Sequence, residues 1–195
     1  MIVHAEIGER TSGSFFEAYD AHHDGIRRFI RMLVKDPWTT EDLTQETFVR
    51  VLKGIDELSE RSKMRAWIYR IALNVCRDHF RTRYVRMRER REQGTAEVLE
   101  LLPSPCSTET NLIHQEMTTC IQQKVGMLPE RLRTVVWLFD FDGLSQDEIA
   151  QALGISVENV KVRLHRARRK LKSILASHCT FEKDDRNVLV CESLH

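Results

Sequence analysis

The stretch "SVENVKVRLHRARRKLK", Ser156 to Lys172, carries seven Lys or Arg residues and one acid. Apolar residues still recur through it at helical spacing. Val160, Leu164, Ala167, Leu171 and Ile174 fall on one side of a helical wheel. Lys161, Val162, His165, Arg166 and Arg169 fall on the other. The residues just before it explain what so basic a helix is for. In "GLSQDEIAQALGIS", Ser145 and Glu148 have the spacing of a capping box, and Ile149, Ala150 and Leu153 face inward. Gly154 stands where a tight turn needs a residue that tolerates positive φ. Ser156 can cap the helix that follows. A short helix, a turn with Gly and a second helix predict a helix-turn-helix. Its exposed cations have the reach for phosphates and guanine edges in the major groove of DNA.

The rest of the chain is patterned mostly as helix. From Phe15 to Leu33, the residues Phe15, Tyr19, Ile26, Phe29, Ile30 and Leu33 predict one or two helices. "KDPW" breaks that pattern, because Pro37 disfavours a helical residue before it. Thr39 or Thr40 is the expected cap of the next helix, from Thr40 to Leu58, with Glu41 and Asp42 in its first turn. That helix is expected to bury Leu43, Phe48, Val51, Leu52 and Ile55. A loop near Leu58–Lys63 precedes a helix from Met64 to Arg83. From Arg86 to Asn111 the charged "RMRERREQGTAE" and the Pro-, Ser- and Thr-rich "LLPSPCSTET" read as a linker. Helical patterning resumes near Leu112, and Pro129 opens "LPERLRTVVWLFDF" at a helix N-terminus. The expectation is an all-α chain of two small helical domains: residues 1–85, a linker over 86–111, residues 112–178, and a cysteine-containing tail over 179–195.

Charge is unevenly placed along this plan. The formal net charge is only +1 over 195 residues. From Arg61 to Arg91 there are eleven Lys or Arg against two acids, Asp78 and Glu89. From Asp36 to Glu60 there are seven acids against two bases, Arg50 and Lys53. Such segregation predicts separate surfaces for separate partners, the basic ones favouring a polyanion. On the first acidic helix, Asp42, Gln45, Glu46 and Val49 sit at i, i+3, i+4 and i+7, a stripe suited to a basic protein surface or to solvent. On the next helix, Arg70, Asn74, Arg77 and Arg81 form a stripe beside Trp67 and Tyr69. Polar and basic side chains beside aromatics suit unstacked bases and a single-strand backbone.

"EDLTQETFVRVLKGIDEL", "RAWIYRIALNVCRDHFR" and "LPERLRTVVWLFDFDGLSQDEIAQALGISVENVKVRLHRARRKL", in that order, resemble a bacterial sigma factor. More narrowly, they resemble the extracytoplasmic-function group of the sigma-70 family, over roughly Phe15–Arg83 and Leu112–Leu175. The resemblance implies a non-enzymatic subunit that binds core RNA polymerase, directs it to promoters and helps to open the duplex. It implies that Asp42, Gln45, Glu46 and Val49 dock on the polymerase. It implies that Arg65, Trp67, Tyr69, Arg70 and Asn74 line or support the capture of a flipped base at the minus-ten element, with Arg77 and Arg81 tracking backbone. The Ser156–Lys172 helix resembles the reader of the minus-thirty-five element. Its candidate contacts are Ser156, Glu158, Asn159, Lys161, Val162, His165, Arg166 and Arg169. Lys161, His165 and Arg166 are placed for base edges, Arg163, Arg168 and Arg169 for phosphates or packing. An anti-sigma factor is an implied partner.

Other classes lack their signals. The first residues, "MIVHAEIGERTSG", have no basic start and apolar run of a secretory leader. No window reaches the roughly 18 apolar residues that span a membrane. Five scattered cysteines, Cys76, Cys106, Cys120, Cys179 and Cys191, fit a reducing cytoplasm. There is no Gly-rich phosphate loop, nucleophile elbow or pair of catalytic carboxylates, so neither a cofactor nor an enzyme activity is expected. In the tail, Thr180–Glu182 and Val188–Val190 predict a short hairpin around "KDDRN", with Asn187 in a left-handed turn. That hairpin would set Cys179 and Cys191 roughly opposite each other, near His178 and His195. Ordinary thiols, a Cys/His zinc site and a redox pair all fit those residues. Two rival readings follow: a stand-alone helix-turn-helix regulator, and a metal- or redox-responsive regulator acting through the tail.

Overall fold

The structure, a computed structural model, describes residues 2–92, 121–183 and 189–193, with side chains over 13–85 and 121–177. The chain divides into two compact units. The described residues are helical in both, apart from one hairpin after the last helix. In the first unit, α1 is Ile2–Val34, α2 is Pro37–Gly54 and α3 is Met64–Glu92. Short 3₁₀ turns at Ile55–Glu57 and Arg61–Lys63 lie between α2 and α3. The expected one or two N-terminal helices are thus a single helix, longer than the pattern from Phe15 suggested.

Two residues make the sharp turn from α1 to α2. Lys35 takes φ 64°, and its N–H donates to the Arg31 carbonyl at 2.9 Å, a left-handed C-terminal cap. Asp36 is the N-cap of α2, its Oδ2 accepting the Thr39 N–H at 2.7 Å, and Pro37 follows in the first turn. The expected cap at Thr39 or Thr40 is therefore displaced to Asp36, and the helix starts three residues earlier. Pro37 excludes a helical residue before it but lacks only an N–H that a first turn leaves unused.

Ile26, Phe29 and Ile30 of α1, Leu43, Phe48 and Val51 of α2, and Ile68, Ala72 and Val75 of α3 are buried in the first unit. Each large apolar side chain contributes about 1.5–3 kcal/mol on full burial. Leu52, expected inside, is 44% exposed. Thr40, Thr44 and Thr47 are buried instead. Each hydroxyl donates to the carbonyl four residues back: Thr40 to Asp36 at 2.6 Å, Thr44 to Thr40 and Thr47 to Leu43 at 2.7 Å. An unsatisfied buried hydroxyl would cost about 1–3 kcal/mol. Here the helix meets that demand itself and offers its neighbours only methyl groups.

α3 runs through Glu92, so the first residues of the expected 86–111 linker continue the helix. The remaining linker residues and the start expected near Leu112 lie outside the described residues. In the second unit, α4 is described over residues 121–126, and α5 is Glu130–Val136. Pro129 precedes α5, and its carbonyl accepts from Leu132 and Arg133 N–H, both at 2.9 Å. The helix then widens into a π turn, Trp137–Phe141, closed by Asp142 N–H donating to the Trp137 carbonyl at 3.0 Å. Gly143 at φ 66° ends it. Helix α6 is Gln146–Leu153 and α7 is Val157–His178. Val135, Leu138, Leu144, Ile149, Val160, Leu164 and Ala167 are buried in this unit.

Strands β1 (Cys179–Lys183) and β2 (Leu189–Ser193) pair antiparallel. The hairpin forms, with its second strand one residue later than expected. Cys179 pairs with Ser193 and Cys191 with Phe181, so the two cysteines are offset by two residues rather than opposite. Diagonal positions of that kind stand about 7–8 Å apart, beyond the usual disulfide span. Lys183 ends β1, while the rest of the "KDDRN" turn, Asn187 included, and His195 lie outside the described residues, as do the side chains of His178, Cys179 and Cys191.

Candidate functional site

The helix-turn-helix is assembled by local chemistry. Ser145 N–H donates to Glu148 Oε2 at 2.7 Å, and Glu148 N–H donates to Ser145 Oγ at 3.2 Å. The capping box is complete in both directions, and such caps are worth about 1 kcal/mol. At the other end of α6, Gly154 takes φ 66°, and Ile155 N–H reaches the Ala150 carbonyl at 3.1 Å. That six-to-one bond is a Schellman turn, and it reverses the chain into α7. Ser156 Oγ accepts the Asn159 N–H at 3.2 Å and starts α7. Val160, Leu164 and Ala167 anchor α7 to its own core. That anchoring leaves Ser156, Glu158, Asn159, Lys161, Val162, His165, Arg166 and Arg169 exposed.

Arg168 behaves differently from its neighbours. Its Nη2 donates to Asp140 Oδ1 at 3.0 Å, and its guanidinium lies 5.3 Å from the centre of the Phe139 ring. A carboxylate and a ring hold it to the π turn. It is a packing residue, and the sequence left that choice open.

The first unit carries two stripes. Asp42, Gln45, Glu46 and Val49 are all exposed on α2. Arg70, Asn74, Arg77 and Arg81 are all exposed on α3. A chain of charges joins them. Arg50 Nη2 donates to Glu46 Oε1 at 2.5 Å, Arg50 Nη1 lies 3.4 Å from Asp78 Oδ2, and Arg81 Nη2 donates to Asp78 Oδ1 at 3.2 Å. These groups are half exposed, so each pair is worth only about 0.2–1 kcal/mol. Their importance is placement: one acidic and one basic face meet along a shared edge. Sequence reasoning missed Arg50 and Asp78, although Glu46 and Arg50 stand at i, i+4.

Of the two aromatic residues expected beside the basic stripe, Tyr69 is corrected. Tyr69 is 3% exposed and packs edge-on against Phe29 at 5.4 Å. It is a core residue and cannot reach a base. The helical wheel put it at the margin of α3, but the close approach of Gly25 on α1 draws it under cover. Trp67 is half-buried. A methyl carbon at Gly54 would stand 3.1 Å from its ring, so the indole is wedged against the end of α2. Arg65 is half-buried beside it in sequence. The large exposed rings on α3 are Phe80 and Tyr84, further along the helix.

The remaining titratable chemistry is structural. Burial pushes the Cys76 thiol up to about 12, which keeps it protonated and unreactive. Hydrogen bonds from the Thr39 side chain and backbone hold the Asp36 carboxyl below its ordinary 3.8. Among the described residues, no three His, Cys, Asp or Glu side chains gather as a metal site. No described helix is long and apolar enough to cross a membrane.

Comparison with known proteins bears on both units. The family models "Sigma-70 region 2" and "Sigma-70, region 4" match residues 18–85 and 118–171. The RNA polymerase sigma factor SigZ of Bacillus subtilis is 34% identical over 169 residues, which cover 86% of this chain and 90% of SigZ. The ECF RNA polymerase sigma factor SigW of the same organism is 31% identical over 166 residues, covering 83% of this chain and 89% of SigW. Among solved structures, the sigma factor RpoE, crystallised with the anti-sigma factor NepR from Bartonella quintana, aligns with a TM-score of 0.63 at 21% identity. That alignment covers 83% of this chain and 96% of RpoE. CnrH, solved with the cytosolic domain of CnrY, aligns with a TM-score of 0.61 at 25% identity over 87% of this chain and 94% of CnrH. Two matched regions in the expected order, with relatives spanning most of both chains, place the sequence: the chain belongs to the sigma-70 family of RNA polymerase sigma factors, in its extracytoplasmic-function group.

Proposed function

We propose that the protein binds core RNA polymerase, directs it to particular promoters and helps to open the duplex, acting in the cytoplasm as a polymerase subunit with no catalytic step of its own. The first unit, through the end of α3 at Glu92, is assigned to polymerase docking and the minus-ten element, the residues from 93 to 111 to the linker, and 112–178 to the minus-thirty-five element. The observation that carries this reading is an acid-faced helix and a basic-faced helix side by side in one unit. A stand-alone helix-turn-helix regulator has no use for that pair.

In this reading Asp42, Gln45, Glu46 and Val49 meet a basic surface of the polymerase. Lys161, His165 and Arg166 reach base edges in the major groove, and Arg169 takes a phosphate. In the first unit, Arg70, Asn74, Arg77 and Arg81 follow the unpaired strand, with Arg65 and Trp67 supporting the start of α3. Extruding a base costs a few kcal/mol, which a shaped pocket and stacking must offset. A net charge of +1 fits a protein that is brought to DNA by its partner. The relative RpoE was solved with an anti-sigma factor, which supports a protein inhibitor of that kind here.

Run-off transcription tests the reading. The purified chain is mixed with bacterial core polymerase and fragmented genomic DNA, and transcript starts are sequenced. Starts that require the protein and share two upstream motifs are the expected result. Tight duplex binding without polymerase, and no dependent starts, would favour the stand-alone regulator and refute the proposal.

A further inference from the structure

We propose that Arg168, gripped by Asp140 and Phe139 of the π turn, is a positioning residue that sets the rotation of α7 about its own axis, and so which base edges that helix reads; this rests on the sigma-factor reading above. Arg168 Nη2 lies 3.0 Å from Asp140 Oδ1, and the guanidinium lies 5.3 Å from the centre of the Phe139 ring. The carboxylate fixes one nitrogen, and the ring limits where the rest of the group can go. The π turn that supplies both partners is itself held from within. Trp137 stacks on Phe141 at 4.7 Å with 15° between the rings, and Leu144 N–H donates to the Leu138 carbonyl at 2.8 Å. Val136, Trp137 and Leu138 are buried. Arg168 is thus tied to a part of the core, not to a loose loop.

The helical wheel gives the grip its consequence. Val160, Leu164 and Ala167 form the buried stripe of α7. Arg168 lies about 70° from the middle of that stripe and about 20° from Lys161, at the border between the anchored face and the reading face. Apolar contacts are non-directional, so a stripe of Val, Leu and Ala tolerates a small roll of the helix. A hydrogen bond on the flank of the stripe does not. A roll of about 20° moves an atom about 6 Å from the axis by about 2 Å, enough to break a hydrogen bond to a base edge. Lys161, His165 and Arg166 all depend on that angle. Charge gives the same answer. Asp140 is exposed, and it stands against a helix that holds seven Lys or Arg and one acid from Ser156 to Lys172. A carboxylate there lowers the attraction for a polyanion. What it supplies in return is a fixed Arg168.

The test uses holoenzyme assembled from the full chain and core polymerase, on a promoter found by transcript-start sequencing. Two labelled duplexes are titrated, one carrying the minus-thirty-five element and one in which that element is replaced. Asp140→Ala should weaken binding to the first duplex by about two- to fivefold, the range for one half-exposed ion pair, and leave the second unchanged. Arg168→Ala should do the same, and the double variant should lose no more than the larger single loss. The direction for Asp140 is the sharp part, because removal of an acid beside DNA strengthens binding when only charge matters. Tighter binding of Asp140→Ala to both duplexes therefore overturns the proposal. So do equal losses on both duplexes, which loss of fold would produce, additive losses in the double variant, or a salt slope lowered by about 1 in Arg168→Ala, the mark of a phosphate contact. A wild-type holoenzyme that does not distinguish the two duplexes overturns the sigma-factor reading together with this one. A wild type that distinguishes them, with an Asp140→Ala variant that distinguishes them equally well, overturns this one alone.

Discussion

Gly25 of α1 faces Tyr69 of α3, and their approach gives a test of the first unit's packing. A methyl carbon at Gly25 would stand 2.8 Å from the Tyr69 hydroxyl but 4.0 Å from the ring carbon that bears it. The first distance is a clash, and the second is ordinary contact. Tyr69 is buried against Phe29 and has little room to swing away. Gly25→Ala therefore has opposed effects. Helix propensity gains about 1 kcal/mol, and overpacking costs about 1–3 kcal/mol. We expect a net loss of roughly 1 kcal/mol in the wild-type background. Tyr69→Phe removes the clashing oxygen, so in that background Gly25→Ala should stabilise by up to about 1 kcal/mol. The sign should reverse. The assay is urea unfolding of the four proteins of the cycle, each carrying Trp137→Phe so that Trp38 and Trp67 report on the first unit. The cycle subtracts the separate cost of Tyr69→Phe. The same sign in both backgrounds would refute the close approach. As a core residue, Tyr69 should also tolerate Phe with no change in promoter-dependent transcription.

Arg166→Ala should cost about 1–3 kcal/mol at promoters carrying one particular base and relax the preference there, as read from transcript starts. A loss spread evenly over all promoters would make Arg166 a phosphate contact. Asp42→Ala with Glu46→Ala should weaken binding to immobilised core polymerase about two- to thirtyfold, two exposed charges at about 0.2–1 kcal/mol each, while the helix-turn-helix stays folded. Unchanged affinity would remove the docking stripe. Asp36 has its pKa lowered in the folded state, so its contribution to stability is complete above the unfolded value of 3.8 and is lost as pH falls through the folded value. Acid titration of wild type and Asp36→Asn should therefore differ in slope only below about pH 5; a difference confined to neutral pH would exclude the cap as its source.

The second unit was readable because its local signals agree. Ser145, Glu148, Gly154 and Ser156 each have one physical use at their spacing, and the structure shows each in that use. The first unit was harder. Thr40, Thr44 and Thr47 look polar in a sequence, and only a helix lets their hydroxyls bond four residues back and go inside. Leu52 looks like core, but it falls outside the arc that α1 and α3 cover. Aromatic side chains misled most. Hydropathy placed Tyr69 beside the basic stripe and passed over Phe80 and Tyr84, because exposure is set by which helices cross where. The sequence holds Gly25 and Tyr69 far apart, and nothing in a wheel reveals that they meet.

The charges running from Glu46 through Arg50 and Asp78 to Arg81 cross from α2 to α3. A ligand that takes up Glu46 leaves Arg50 to Asp78 alone, and Asp78 then holds Arg81 less strongly. A ligand that takes up Arg81 shifts Asp78 toward Arg50 and loosens Glu46. By linkage the two effects are equal in free energy, whichever ligand arrives first. Because the groups are exposed, the coupling is small and fades with ionic strength. Salt thus does more to this protein than weaken each contact: it separates two faces that respond to each other when it is low.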